Sequence, residues 1–196
     1  MNQKSFRSVF QAFTTLDIVL MAMLAAANAV VTMYLSNVNQ MLNSVGGPIA
    51  TSTITGVYML YGLLACYIIR KPGTAIITYS FGAVVQMFLG VAYGVASAIA
   101  AALCYMIVVE VILALFRYKK WDYVSMCIIG GAMVPIWFYF AVQMFGYSKW
   151  GTSILIIALI VRVISGIILA GYLSKLLGDL LAKSGLLSRF SVGKER

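Results

Sequence analysis

No histidine occurs in this chain, and only five residues are acidic: Asp17, Glu110, Asp122, Asp179 and Glu195. Active sites usually combine a nucleophile with a base, a metal cluster, or several carboxylates. A chain this poor in titratable side chains supplies material for none of these, so it reads as a non-enzyme without metal or cofactor. The phosphate-cradling pattern GxxxxGK[ST] is also missing, so any ATP hydrolysis linked to this protein has to occur on a partner. Cysteine is scarce: Cys66, Cys104 and Cys127 fall in apolar runs or at the start of one, lack CxxC spacing, and read as packing residues. Charge is scarce as well, at 10% of residues against about 25% in an ordinary soluble domain.

Hydrophobicity is what the chain has in abundance, 63% of its 196 residues. The apolar residues arrive in long runs separated by short basic loops, the pattern of a bundle whose solvent is lipid. The expectation is one all-α integral membrane domain, a six-transmembrane-helix bundle with spans at about 16–35, 51–69, 74–89, 95–116, 123–145 and 152–173 and a basic tail over 174–196. The first run follows Lys4 and Arg7, is longer than a signal-peptide core and lacks a convincing cleavage site, so it is expected to be retained. The polar stretch through Asn37, Asn39, Gln40 and Asn43 to Gly46, Gly47 and Pro48 reads as an outer loop long enough to fold over a bound molecule. Arg70, Lys71, Pro72 and Gly73 end the second span, and Pro135 is expected to kink the fifth. Leu176, Leu177, Leu180 and Leu181 recur at helical spacing, as at the start of an interfacial helix.

Twelve of the fourteen Lys and Arg residues fall in the N-terminal segment, the second-to-third loop, the fourth-to-fifth loop and the tail, while the opposite side carries only Lys149. The positive-inside rule then puts both termini in the cytoplasm. Membrane orientation also accounts for the net charge of +9, which leaves no reason to invoke nucleic acid.

Two charges sit inside spans, Glu110 in the fourth and Arg162 in the sixth, and burying either costs at least about 2–3 kcal/mol on insertion scales. Helical rise puts Arg162 about 15 Å below the outer surface, with Glu110 a little deeper. They suit a mutual ion pair that fixes packing. Equally, Glu110 suits a cationic or amine-bearing solute, with Arg162 as a further ligand contact. Asn28 and Gln86 both donate and accept, which fits either a heteroaromatic ring with mixed edges or interhelical hydrogen bonds. Tyr34, Tyr58, Tyr61, Tyr93, Trp137 and Tyr139 offer faces for stacking or cation–π contact, or else pack and anchor at the interface. Ala22, Ala25, Ala26 and Ala29 form a small-residue stripe, either an internal seam or a surface on which another membrane protein docks. A stand-alone facilitator or ion-coupled carrier is the alternative function class, although no matched polar breaks mark two halves.

Four segments carry a family resemblance: Leu16-Asp17-Ile18-Val19, Ile69-Arg70-Lys71-Pro72-Gly73, Glu110 followed by Ala114-Leu115-Phe116-Arg117-Tyr118, and Arg162-Val163-Ile164-Ser165-Gly166. With the AxxxA spacing of Ala22 to Ala26 and Ala25 to Ala29, the chain resembles the S components of energy-coupling factor (ECF) importers, and among them the YkoE family. The resemblance implies a multi-pass subunit of a bacterial plasma membrane that captures thiamine or its hydroxymethylpyrimidine moiety from outside. It also implies partners, a membrane coupling protein and two cytoplasmic ATPase subunits, and reorientation in the bilayer for release. Carried onto this chain, Ala22 and Ala26 would contact the coupling protein and Glu110 would take the ligand-facing acidic role.

Overall fold

The computed structural model describes residues 13–90 and 94–194. Lys4, Arg7, Tyr93 and Arg196, on which expectations above rest, lie outside the described residues. Every regular element among the described residues is helical.

Helix α1 spans Thr15–Ser52 and opens on a capping box: the Thr14 Oγ1 accepts from the Asp17 N–H at 3.2 Å, and the Asp17 carboxylate accepts from the Thr14 N–H at 2.9 Å. The stretch read from the sequence as an outer loop is instead helical as far as Gly46. Polarity alone does not end a helix when its side chains bond back to its own carbonyls. Ser36 and Asn37 both donate to the Met33 carbonyl, at 2.8 and 3.2 Å, and Ser44 donates to that of Met41 at 2.7 Å. The break comes only at Gly47, with φ 56° and ψ −148°, conformational space open to glycine, just before Pro48, which has no N–H to donate. The Trp150 ring lies 2.8 Å from where a Gly47 Cβ would stand.

Helix α2, Thr55–Ile69, is the centre of the bundle, with 12 of its 15 residues buried. Side chains from surrounding helices reach its carbonyls: Tyr79 donates to Met59 at 3.0 Å and Ser174 to Leu60 at 3.0 Å. Helix α3 covers Thr74–Leu89, α4 Val95–Leu115 and α5 Tyr123–Met144; α5 carries Pro135 in its interior without interruption. Asp122 caps α5, accepting from the Ser125 N–H at 3.2 Å and hydroxyl at 2.7 Å, and the Ser125 bonds hold its carboxyl below the ordinary carboxylate range. A 3₁₀ turn at Tyr147–Lys149 leads to α6, Thr152–Ser165, which passes through a π-helical turn at Gly166–Tyr172 into α7, Leu173–Lys183; a short α8, Ser191–Lys194, follows. The leucines at 176–181 therefore continue the sixth apolar helix rather than starting a separate one.

Among the described residues, α1, α4, α5 and the continuous helix Thr152–Lys183 are four helices long and apolar enough to cross a membrane, while α2 and α3 are shorter apolar helices. Two short helices are tolerable where α2 is enclosed by protein, because its ends find side-chain partners there.

The sixth helix approaches α2 and α5 along glycine. A Cβ on Gly130 would meet the Gly166 carbonyl, one on Gly171 the Met126 carbonyl, and one on Gly56 the Ser165 carbonyl. Such close approach is how helices associate without a hydrophobic driving force between them. The wide π turn sits in this seam, with its Gly166 and Gly171 facing α5. Gly130→Leu is therefore expected to destabilise the detergent-purified protein by at least about 1–3 kcal/mol, read as a lowered thermal melting midpoint. Gly151→Ala, where a Cβ meets nothing within 4 Å, should leave the midpoint unchanged.

Candidate functional site

The two ends of the bundle differ in charge chemistry. At the end carrying the basic loops, each described carboxylate is held by neighbours. Asp17 pairs with the Lys71 ammonium at 2.6 Å, and Asp179 accepts from Tyr67 at 2.6 Å and from Lys175 at 3.0 Å. Asp122 caps α5, as described. Glu110 accepts from the Ala75 N–H at 3.1 Å, in the first turn of α3, and from the Tyr118 hydroxyl. Burial pushes the Tyr118 phenol well above its ordinary range, and its bond to the Glu110 carboxylate adds to the effect. Glu110 thus links α4 to the start of α3 and to the loop before α5. Arg162 lies elsewhere, its guanidinium carbon 4.9 Å from the centre of the Phe138 ring, so the expected Glu110–Arg162 pair is not what the structure displays.

In the other half of the bundle lies a partly open cavity walled by residues of helices α1 to α6. Helix α1 contributes Asn28, Thr32, Ser36 and Asn39, one polar stripe at helical spacing along an otherwise apolar helix. Three atoms of that stripe, the Asn28 and Asn39 Oδ1 and the Thr32 Oγ1, are buried without a hydrogen-bond partner. Buried polar atoms are nearly always satisfied, so three orphans on one wall point to a bound molecule that satisfies them.

Helices α3, α4 and α5, with Phe145 just past α5 and Tyr147 in the 3₁₀ turn, supply an aromatic arc along the cavity. Ring centres run from Tyr79 to Tyr105 at 5.7 Å, to Trp137 at 6.2 Å, to Phe145 at 6.2 Å and to Tyr147 at 5.9 Å. Tilted and edge-on pairs of this kind hold one another rigid and leave a face for a planar ligand. Gln86 lines the cavity from the last turn of α3, Tyr58 from α2, and Arg162, only 4% exposed, from α6. Ser165, one turn further along, fixes that helix by donating to the Thr53 carbonyl at 2.7 Å and accepting from the Gly56 N–H at 3.0 Å.

Of the residues singled out from sequence, the cavity brings together Asn28, Gln86, Tyr58, Trp137 and Arg162. Glu110 and Tyr61 are not among its lining, and Tyr34 and Tyr139 are 66% and 65% exposed on the outside of the bundle. The alanine stripe divides: Ala25 and Ala29 are buried inside, Ala22 and Ala26 are exposed on the outer surface of α1. Sequence reasoning missed Thr32 and Ser36, although their spacing from Asn28 was readable, and it took Asn39 as part of a loop where the structure has it on the helical wall of the cavity. It also missed Tyr79, Tyr105 and Tyr147, which nothing local distinguishes from packing tyrosines.

The profile of the family described as ABC-type cobalt transport system, permease component, matches residues 16–137. A Bacillus subtilis (strain 168) protein, named as a candidate HMP/thiamine permease protein, YkoE, is 30% identical over 186 residues, covering 91% of this chain and 89% of its own length. A solved structure described as the crystal structure of an S-component of an ECF transporter is 30% identical, with a TM-score of 0.87 over 93% of this chain and 92% of that one. The chain belongs to the ECF S components. The resemblance carried by the four segments holds over nearly the whole length. As an S component the protein is the substrate-binding membrane subunit of an importer, in a transport family that is not an enzyme class.

In this S component the Glu110 contacts are structural in geometry, which makes a double-mutant cycle informative. Glu110→Gln, Tyr118→Phe and their combination should show a coupling of about 1–2 kcal/mol in melting stability. A coupling near zero would remove this bond from the account of the bundle's stability.

Proposed function

We propose that this S component captures thiamine or its hydroxymethylpyrimidine moiety with high affinity from the outer side of a bacterial plasma membrane. In this reading six helices cross the bilayer and both termini are cytoplasmic, since the basic loops gather at one end and the cavity lies toward the other. A membrane coupling protein and two cytoplasmic ATPase subunits complete the importer. The name of the Bacillus subtilis relative supports the choice of vitamin.

The observation that carries the reading is the pairing of the aromatic arc with the unsatisfied stripe on α1. A planar aminopyrimidine ring stacks on the arc, and its amino group donates to Asn28, Thr32 or Asn39. The cobalt of the family description suits the cavity poorly: its lining has no carboxylate, thiolate or imidazole, and its one ion is a cation. Closure falls to the outer end of α1. That end is a helix hinged at Gly47 and overlain by Trp150 rather than a flexible loop, so the expected lid acts as a stiff arm. The exposed Ala22 and Ala26 present a smooth strip of α1 on which a coupling protein can pack closely.

Binding is testable on the detergent-purified chain by the fluorescence of its three tryptophans, because one of them, Trp137, lines the cavity. Hydroxymethylpyrimidine should change that signal saturably, and Asn28→Leu should weaken binding about tenfold or more, near 1.4 kcal/mol. The vitamin assignment fails if neither thiamine nor hydroxymethylpyrimidine binds. Ala22→Leu with Ala26→Leu is expected to leave binding intact and to abolish co-purification with the coupling protein and uptake into cells. Intact uptake in that variant would move the docking surface elsewhere.

A further inference from the structure

At the basic end of the bundle, internal pairing uses up the acids and leaves cations over. Asp17 is held by Lys71, Asp179 by Tyr67 and Lys175, Glu110 by the Ala75 N–H and Tyr118, and Asp122 by the first turn of α5. Arg117 and Lys119 in the loop before α5, and Lys183 and Arg189 in the C-terminal segment, stand exposed at that end without an ion-pair partner among the described residues.

The C-terminal segment sets its cations beside exposed leucine. The continuous helix Thr152–Lys183 has 32 residues, which at about 1.5 Å each make about 48 Å, against about 30 Å for the hydrocarbon core. Its last turns therefore reach the headgroup layer. There Leu180, 53% exposed, lies three positions before Lys183 and on the same face. The chain turns at Gly185, with φ 80°, and is pinned again where Leu187 and Val192 join the buried core and α8 packs on α2. Between these fixed points Leu186 is 71% exposed although its neighbour Leu187 is buried. The turn that holds it out is hydrogen-bonded: the Ser188 N–H donates to the Gly185 carbonyl at 3.3 Å and the Phe190 N–H to that of Leu187 at 3.0 Å.

A leucine held out between Lys183 and Arg189, three positions from each, has the chemistry of an interfacial anchor. Apolar side chains of such a segment enter the acyl boundary while its cations take lipid phosphates. An acidic protein surface would engage the cations and leave the two leucines without an apolar partner. We propose that the segment 183–189, with Leu180, is a docking surface for anionic phospholipid headgroups, to which Arg117 and Lys119 add attraction from the loop before α5. Placing that lipid in the inner leaflet rests on the orientation proposed above, whereas the headgroup contact itself does not. Such an anchor sets the depth of a bundle whose α2 and α3 are shorter than the about 20 residues of a full span.

The test uses the full chain with Cys66, Cys104 and Cys127 replaced by alanine and an environment-sensitive fluorophore on Ser188→Cys. It is reconstituted in nanodiscs of phosphatidylcholine alone or with about one third phosphatidylglycerol, whose leaflets are alike, so orientation does not enter. Acrylamide, an uncharged quencher, is expected to quench the label about threefold less in the anionic discs. Lys183→Gln with Arg189→Gln should remove that difference, and so should salt at about 1 M. Equal quenching in both discs, the result expected of a surface that serves an acidic protein, would overturn the proposal. A difference that survives the two substitutions would overturn it too. The chain with its native cysteines gives a second reading that needs no label. Phosphatidylglycerol added in detergent should raise its melting midpoint more than phosphatidylcholine does, and equal effects would count against the anchor as decisively. Vitamin binding is read separately on the same protein, so loss of the anchor leaves capture standing.

Discussion

The cost of leaving a polar group unsatisfied in a lipid-embedded bundle governs this structure. Water is absent from the hydrocarbon, so each carboxylate, hydroxyl and helix end has to find its partner within the protein. The chain meets the constraint by having few such groups and by confining its described carboxylates to one end. There Lys71 holds Asp17, Tyr67 and Lys175 hold Asp179, and Glu110 closes onto the Ala75 N–H. Among the described residues the opposite half carries no acidic side chain, and three buried polar atoms without a hydrogen-bond partner cluster there, on the α1 wall of one cavity. Segregating satisfied from unsatisfied groups in this way turns a membrane bundle into a receptor.

Rigidity follows from the same economy of chemistry. Gly130, Gly166 and Gly171 let the sixth helix meet α5 backbone to backbone, and Ser165 ties that helix to the start of α2. Arg162 and the aromatic arc are therefore carried on closely packed elements, which keeps the cavity's ring faces and its guanidinium in constant register. In the proposed closure the Gly47 break serves as the hinge for the end of α1. A subunit that captures without catalysing needs little more than this: a preformed cavity, one hinged wall, and an outer surface for the machinery that powers release.

Much of the fold was legible because lipid imposes coarse rules. Apolar runs marked all six apolar helices, and Asp122, Gly73 and Gly90 stand where helices begin or end. Asn37 to Asn43 misled because polar residues in a helix can bond to their own carbonyls, which composition does not reveal. Glu110 misled for a related reason. An intramembrane carboxylate signals that some partner exists, yet only the fold tells a backbone N–H and a tyrosine from a ligand. The polar stripe of Asn28, Thr32 and Ser36 was readable from its spacing, whereas Tyr79, Tyr105 and Tyr147 join the site only through helix packing.

The central claim is that the cavity behind α1 is the capture site and opens away from the cytoplasm. Ser36→Cys, introduced with Cys66, Cys104 and Cys127 replaced by alanine, tests it directly in intact cells with a membrane-impermeant maleimide. The account predicts labelling from outside that is suppressed when hydroxymethylpyrimidine or thiamine fills the cavity. Labelling only after the cytoplasmic face is exposed, or labelling indifferent to both compounds, would contradict it.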